Sequence, residues 1–274
     1  MLATQLYNLL NVTVYDGIYN HDKKFSLMSL TSPYTTTKKP AVQSCRICAL
    51  SSLCLPAALD EKMIDELKRI VDSDKRFAQK QVIYSQGGLF QSLYVVKSGA
   101  VKTYITDTRG DEHITGFYLP GEIVGLESIA GRKYLSTAIS LTDSYLCKTD
   151  YPRLAQLRKN NPALSDWAIN LFSQSLASGH DFFNCLSHHS AISRLATFIL
   201  LISKRTSRTE QHQLNFTLTM SRQDIGNYLG LASETTSRAF SRLAETKCIE
   251  KKNRQINIID LSHLMQLSAL DSAL

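Results

Sequence analysis

The sequence lacks an uninterrupted apolar run of the roughly 18 residues that a membrane-spanning helix needs, although 43% of its 274 residues are hydrophobic. Residues 1–10 have no basic residue ahead of their apolar stretch, so they do not resemble a secretory signal. No internal repeat or low-complexity block interrupts the middle of the chain. We therefore expect a globular, cytoplasmic protein with no membrane partner.

The sequence also offers little for catalysis. His188 and His189 adjoin Cys185, but no oriented acid or activated nucleophile accompanies them. Adjacent histidines after a helix are more often exposed or capping. We predict that the protein is not an enzyme.

The charge balance favours an anionic partner. There are 31 Lys and Arg against 24 Asp and Glu, which gives a formal charge of +7. Phosphate backbones are the commonest anionic partner of a soluble protein. The length allows two ordinary domains, each with its own core.

The chain changes pattern three times. Residues 1–43 are rich in Ser, Thr, Tyr and Lys and have no sustained period, which indicates a poorly ordered extension. Residues 77–151 contain short runs rich in Val, Ile, Tyr and Thr between Gly and Pro turns, which favours a small antiparallel barrel or jelly roll. Its strands are predicted at 81–84, 93–96, 101–106 and 113–118. A short surface helix before it would carry Leu59, Met63, Leu67, Ile70 and Val71 on its apolar face.

Helical periodicity returns after residue 162, with apolar residues stepping alternately by three and four. This heptad seam predicts a long helix that pairs with its own copy in a two-fold dimer, although the stripe could instead pack on the barrel. Gly179 on the seam permits close approach or weakens the helix by about 1 kcal/mol. The seam positions are Ile169, Phe172, Leu176, Gly179, Phe183 and Leu186.

The segment TMSRQDIGNYLGLASETTSRAFSRL, which begins at Thr219, predicts a helix-turn-helix. Ser221 and Ser233 are the expected N-caps of its two helices, and Gly230 supplies a positive φ at the turn. The strand-like run 255–259 predicts the wing of a winged helix. The basic residues around the wing, either phosphate-facing or solvated, are Lys247, Lys251, Lys252 and Arg254.

The outward face of the second helix carries groups suited to reading base edges. Glu accepts from the N4 amino group of cytosine, and Arg forks onto guanine. Glu234 and Arg238 lie one turn apart, so they could read one G·C pair or two adjacent pairs. The alternative is an exposed ion pair worth about 0.3 kcal/mol. The predicted contacts to double-stranded DNA are Ser221, Arg222, Glu234, Thr235, Ser237, Arg238 and Arg242.

Three cysteines form a C-x2-C-x5-C pattern that favours a soft metal in a reducing compartment. A cluster or a zinc ion normally takes four thiolates, and Cys147 at the end of the barrel region is the expected fourth. Spacing alone leaves zinc and an iron-sulfur cluster open. The three motif cysteines are Cys45, Cys48 and Cys54, and the two expected to be buried structural thiols are Cys185 and Cys248.

The runs CRICALSSLCLP, SLYVVKSGAVKTYITDTRGDEHITGFYLPGEIVG and SRQDIGNYLGLASETTSRAFSRL together resemble the oxygen-sensing fumarate and nitrate reduction (FNR-type) regulators of the cyclic-AMP receptor protein (CRP/FNR) superfamily. The resemblance covers about residues 45–267 in one order with few gaps. It implies an oxygen-responsive transcription regulator that activates or represses anaerobic-metabolism genes as a homodimer on TTGAT-type palindromic sites.

The same resemblance implies the roles of particular residues. The cofactor is an oxygen-labile four-iron four-sulfur (4Fe-4S) cluster, and oxygen releases monomers that leave DNA. Gly110 and Asp111, in the turn 107–112, would contact RNA polymerase, although a plain hairpin tip is the alternative. The cluster ligands would be Cys45, Cys48, Cys54 and Cys147, and the base-reading positions would be Glu234, Ser237 and Arg238.

The implied fold is α+β, with an N-terminal cyclic-nucleotide-binding-like β-roll (jelly roll), a long dimerisation helix and a C-terminal winged helix-turn-helix. The predicted divisions are an extension over 1–43, a cysteine-rich cluster-binding segment over 44–58, the β-roll over 59–158, the dimerisation helix over 159–189 and the DNA-binding domain over 190–274.

Three rival functions are compatible with parts of the sequence. Cyclic-nucleotide-dependent regulators of this fold hold the cyclic phosphate with an Arg-Ser pair and a Glu in the barrel. Here Leu135 stands where that Arg would be, so we expect no cyclic nucleotide. The other rivals are a regulator with a zinc or thiol switch and an iron-sulfur or zinc protein that oxygen does not regulate.

Gly179 departs from the family, which usually carries at this seam position a charge that tunes dimerisation. Without that charge, we predict that the protein stays dimeric longer in air. Gel filtration before and after air exposure measures this, and a clean monomer after exposure would contradict the prediction.

Overall fold

The computed structural model describes residues 61–187, 190–207 and 212–268, which all fall in one compact unit, Ala41–Leu274. The predictions for the extension 1–43, the cysteine-rich segment 44–58 and the pair His188 and His189 lie outside the described residues. Among the helices that the structure describes, none combines the length and the apolar character needed to cross a bilayer.

The N-terminal part is a β-roll of two antiparallel sheets that follow helix α1 (Glu61–Ile70). Their strand orders are β1-β8-β3-β6 and β2-β7-β4-β5. Val96, Val101 and Leu146 are fully buried between them. The strands are β1 (Val71–Phe77), β2 (Val82–Tyr84), β3 (Ser92–Ser98), β4 (Val101–Thr106), β5 (Glu112–Tyr118), β6 (Ile123–Val124), β7 (Thr137–Ser140) and β8 (Ser144–Asp150).

The structure corrects one detail of the predicted surface helix. Val71 was expected on the apolar face of that helix, but α1 ends at Ile70 and Val71 begins β1. Val71 pairs with Thr149 of β8. The strand VDSDKRF has no alternating apolar pattern, so its conformation depends on pairing with a strand distant in sequence.

Three helices link the β-roll to the C-terminal part: α2 (Tyr151–Lys159), α3 (Pro162–Ser187) and α4 (Ala191–Thr206). Asp150 caps α2 by accepting from the backbone N–H of Arg153 at 2.9 Å, and Asn161 accepts from the N–H of Leu164 at 3.2 Å at the start of α3. Leu164 and Trp167 pack into the β-roll core, which anchors the first turns of α3.

The C-terminal part is a winged helix-turn-helix. A three-stranded antiparallel sheet of order β10-β11-β9 lies with three helices. Its core also includes Ile114, Phe117 and Leu119 of the β-roll region, so the two parts share buried surface. The elements are β9 (Asn215–Thr217), α5 (Arg222–Leu229), α6 (Ser233–Glu245), β10 (Ile249–Lys252), β11 (Gln255–Ile258) and α7 (Leu261–Ser268). The predicted α+β fold class is confirmed.

Candidate DNA-reading interface

The first helix of the pair, α5, begins with a complete capping box. Asp224 donates its backbone N–H to the hydroxyl of Ser221 at 3.0 Å, and the Asp224 carboxylate accepts from the N–H of Ser221 at 3.2 Å. Ser221 is therefore the N-cap, as predicted. The second predicted cap is wrong: Ser233 is the first residue of α6, and Ala232 precedes it with no side-chain cap.

The turn between α5 and α6 requires two glycines. Gly230 ends α5 with a φ of 64°, as the sequence predicted. A Cβ on Gly226 would lie 2.7 Å from the hydroxyl oxygen of Thr236 and 2.8 Å from the carbonyl oxygen of Leu231. These distances leave no room for a side chain, so Gly226 lets the two helices cross closely.

The predicted base-reading residues lie together on the outer face of α6. Glu234 and Arg238 form an ion pair of 2.5 Å whose side chains are 75% and 78% exposed. Thr235 and Arg242 are also exposed, and Ser237 is half-buried. Phe240 and Leu243 on the opposite face are buried, which fixes the orientation of the outer face.

Two basic side chains contact the inner side of α6. The guanidinium of Arg222 lies 5.3 Å from the ring centre of Phe240, and the ammonium of Lys251 lies 5.6 Å from it. These cation-π contacts place the start of α5 and the wing strand β10 next to Phe240 of α6. Arginine and lysine at these positions are residue types that contact DNA phosphates.

The predicted dimer seam is solvent-exposed along most of α3. The exposed fractions are 63% for Ile169, 64% for Leu176 and 72% for Phe183, and a Cβ on Gly179 would meet open space. Ile169, Leu176 and Phe183 therefore do not pack on the barrel, whereas Leu164 and Trp167 of α3 do. The two remaining seam positions are Phe172, 41% exposed, and Leu186, half-buried.

The turn between β4 and β5 holds the predicted polymerase-contact residues. The Asp107 carboxylate accepts from the backbone N–H groups of Arg109 at 2.8 Å and Asp111 at 3.0 Å. These bonds lower the pKa of Asp107, and Gly110 adopts a φ of 90°. The turn is therefore an ordered, exposed tip.

Of the predicted cluster ligands, the structure describes Cys147. It lies half-buried in β8, and its thiol points to the carbonyl oxygen of Ser73 at 3.7 Å. Cys185 and Cys248 are 1% and 0% exposed, and burial raises the pKa of the Cys185 thiol to about 11. Within the described residues, no group of three potential metal ligands comes together.

Sequence reasoning missed the residues that dock α4 and α5 onto the β-roll. Asn227 bonds to the backbone of β5, and Lys102 pairs with Asp224 at 2.6 Å. Arg205 pairs with Glu122 at 2.6 Å. The partners are far apart in sequence, so no local pattern could have indicated them.

Two family models match this arrangement. Residues 74–161 match the cyclic nucleotide-binding domain, and residues 193–267 match the Crp-like helix-turn-helix domain. The chain is similar to the fumarate and nitrate reduction regulatory protein of Vibrio cholerae, with 35% identity over 82% of this chain and 90% of that protein. It is also similar to the anaerobic regulatory protein of Haemophilus influenzae, with 36% identity over 82% and 87%.

Solved structures agree with these matches. FixK2 from Bradyrhizobium japonicum superposes with a TM-score of 0.65 and 29% identity, over 72% of this chain and 96% of that one. The β-roll, the linking helices and the helix-turn-helix thus occur together in the relatives as well as here. The chain belongs to the CRP/FNR family of transcription regulators.

Proposed function

We propose that this protein is an oxygen-responsive transcription regulator of anaerobic metabolism. It binds TTGAT-type palindromic sites as a homodimer and holds a 4Fe-4S cluster through Cys45, Cys48, Cys54 and Cys147. The names of the similar proteins, fumarate and nitrate reduction regulatory protein and anaerobic regulatory protein, support this role. A regulatory role in the cytoplasm, with no catalytic activity, is part of the proposal.

The observation that carries the cofactor proposal is the contrast among the described cysteines. Cys147 is half-buried on a strand held between β1 and β3, so its sulfur has a fixed position and is not sealed in the core. Cys185 and Cys248 are enclosed by apolar neighbours and almost fully buried, so their sulfurs are not accessible to a metal cluster. The described thiol that fits a cluster is therefore Cys147.

The position of Cys147 also suggests how loss of the cluster would affect the dimer seam on α3. A 4Fe-4S cluster, when bound, supplies an oxygen-reactive centre whose integrity depends on thiolate ligands. Strand β8, which carries Cys147, leads directly into α2 and then α3. A displaced Cys147 would therefore disturb the base of the seam helix.

The exposed seam supports the homodimer. Ile169, Leu176 and Phe183 present contiguous apolar surface along one face of α3, and such a surface is stabilised by burial against its own copy. A two-fold axis along α3 presents two copies of α6 to two half-sites one helical turn of DNA apart. The ordered tip at Gly110 and Asp111 remains available to RNA polymerase.

The phosphate position of a cyclic nucleotide is unsuitable in this β-roll. The Ser136 hydroxyl donates to the Glu127 carboxylate at 3.0 Å, and Leu135 beside it carries no charge. A cyclic phosphate placed there would lack the arginine that neutralises it. We propose that the protein works without a cyclic nucleotide.

Arg238→Lys should relax base specificity. Lysine keeps the charge but cannot fork onto guanine, so discrimination at the G·C pair of the half-site should fall by about 1–3 kcal/mol. Competition binding with duplexes carrying A·T at that pair measures the loss. Arg153→Lys on α2 is the control, and unchanged discrimination by Arg238→Lys would contradict the reading role.

Cys147→Ser should remove most of the iron and sulfide from protein purified without oxygen, and with them the effect of air on DNA binding. Cys185→Ser is the matched control, because a hydroxyl can replace the thiol that points to the Arg194 carbonyl oxygen. Metal analysis and DNA binding before and after air measure both variants. A Cys147→Ser protein with full iron and a normal air response would refute the ligand assignment.

A further inference from the structure

Strand β5 lies at the end of its sheet, and its outer backbone edge pairs with no other strand among the described residues. Asn227 of α5 covers this edge with its carboxamide. The Asn227 side-chain oxygen accepts from the N–H of Ile114 at 2.7 Å, and its side-chain nitrogen donates to the carbonyl oxygen of Glu112 at 2.7 Å. One side chain thus makes the pair of bonds that a neighbouring strand would make.

These two bonds demand a carboxamide. An aspartate could accept from Ile114 but would place a negative oxygen against the carbonyl of Glu112, and an alanine would leave both backbone groups unpaired. Both distances are short and suit only one orientation of the amide of Asn227. The contact therefore sets the position of α5 along β5.

Two further contacts fix the same docking. One carboxylate oxygen of Asp224 completes the capping box of α5 while the other accepts from Lys102 of β4 at 2.6 Å. Tyr228 stacks on Phe182 of α3 with ring centres 4.2 Å apart and packs on Phe117 of β5 at 5.0 Å. These contacts constrain the position and tilt of α5 and its distance from the seam helix α3.

The docking leaves the reading face uncovered. Asn227 and Asp224 belong to α5, whereas Glu234 and Arg238 on α6 remain more than 70% exposed. The docked arrangement is thus compatible with DNA binding. In a two-fold dimer it fixes the separation of the two copies of α6, because each is held to its own β-roll and seam helix.

We propose that Asn227, supported by Lys102, is a positioning residue that sets the spacing and phase of the two half-sites the dimer accepts. This inference rests on the proposed palindrome-binding dimer. If α5 were held less firmly against β5, Glu234 and Arg238 of each protomer could shift. The dimer would then tolerate misplaced half-sites and would bind sites of the correct spacing less tightly. Binding to a single half-site would change little.

The test uses the full chain, purified without oxygen, and four duplexes: a TTGAT palindrome of natural spacing, the same with one base pair inserted or removed, and a single half-site. One base pair moves the second half-site by about 3.4 Å and turns it by roughly 35°. Asn227→Ala should bind the natural palindrome about tenfold more weakly, as expected for two lost hydrogen bonds. Its loss of affinity when the spacing is altered should be clearly smaller than that of the wild type.

Asn227→Asp and Lys102→Met provide second and third variants if the alanine protein folds poorly, and both should shift the spacing preference in the same direction. Asn215→Ala, an exposed asparagine on β9, is the control and should match the wild type. A wild type indifferent to spacing would refute the palindrome-binding dimer itself. A wild type that discriminates spacing, with Asn227 variants that discriminate equally well, would overturn the positioning role alone.

Discussion

The contact of α5 with the outer edge of β5 is the constraint on which the rest of the structure depends. On its side-chain face, Phe117 packs against Phe198 of α4 and Tyr228 of α5. On its backbone edge, Asn227 bonds to the N–H of Ile114 and the carbonyl oxygen of Glu112, which a neighbouring strand would bond in a wider sheet. An unpaired edge is an aggregation hazard, and here the DNA-reading domain covers part of it.

Ion pairs add to the contact between the β-roll and helices α4 and α5, but they are not its main source of stability. Arg205 forms a two-pronged contact with Glu122 and also donates to the carbonyl oxygen of Phe117. Burial opposes the charge on Arg205, but the carboxylate of Glu122 raises its pKa overall. Burial likewise opposes ionisation of Asp224, but hydrogen bonds from Lys102 and Ser221 lower its pKa. Such pairs contribute little net stability, because desolvation of the two charges offsets their attraction.

The sequence predicted what local rules determine. The cap at Ser221 and the positive φ of Gly230 follow from residues within one or two helical turns. The strands of the β-roll that alternate or carry β-branched residues were also found. The family resemblance then indicated their assembly into one known architecture.

What the sequence could not predict depends on partners distant along the chain. Strand β1 has a charged sequence and forms because β8 pairs with it. Asn227 and Lys102 look like ordinary polar residues until the fold brings β4, β5 and α5 together. Ser233 was misplaced by one residue at a helix start, where boundaries are least certain.

The central claim is that oxygen controls DNA binding through a cluster held at Cys147 and the three N-terminal cysteines. The most direct measurement takes wild-type protein purified without oxygen and compares its visible spectrum and its binding to a TTGAT duplex before and after air is admitted. We expect a brown protein that bleaches in air and loses DNA affinity to the same extent. A colourless zinc protein that binds the duplex equally well with and without air would contradict it.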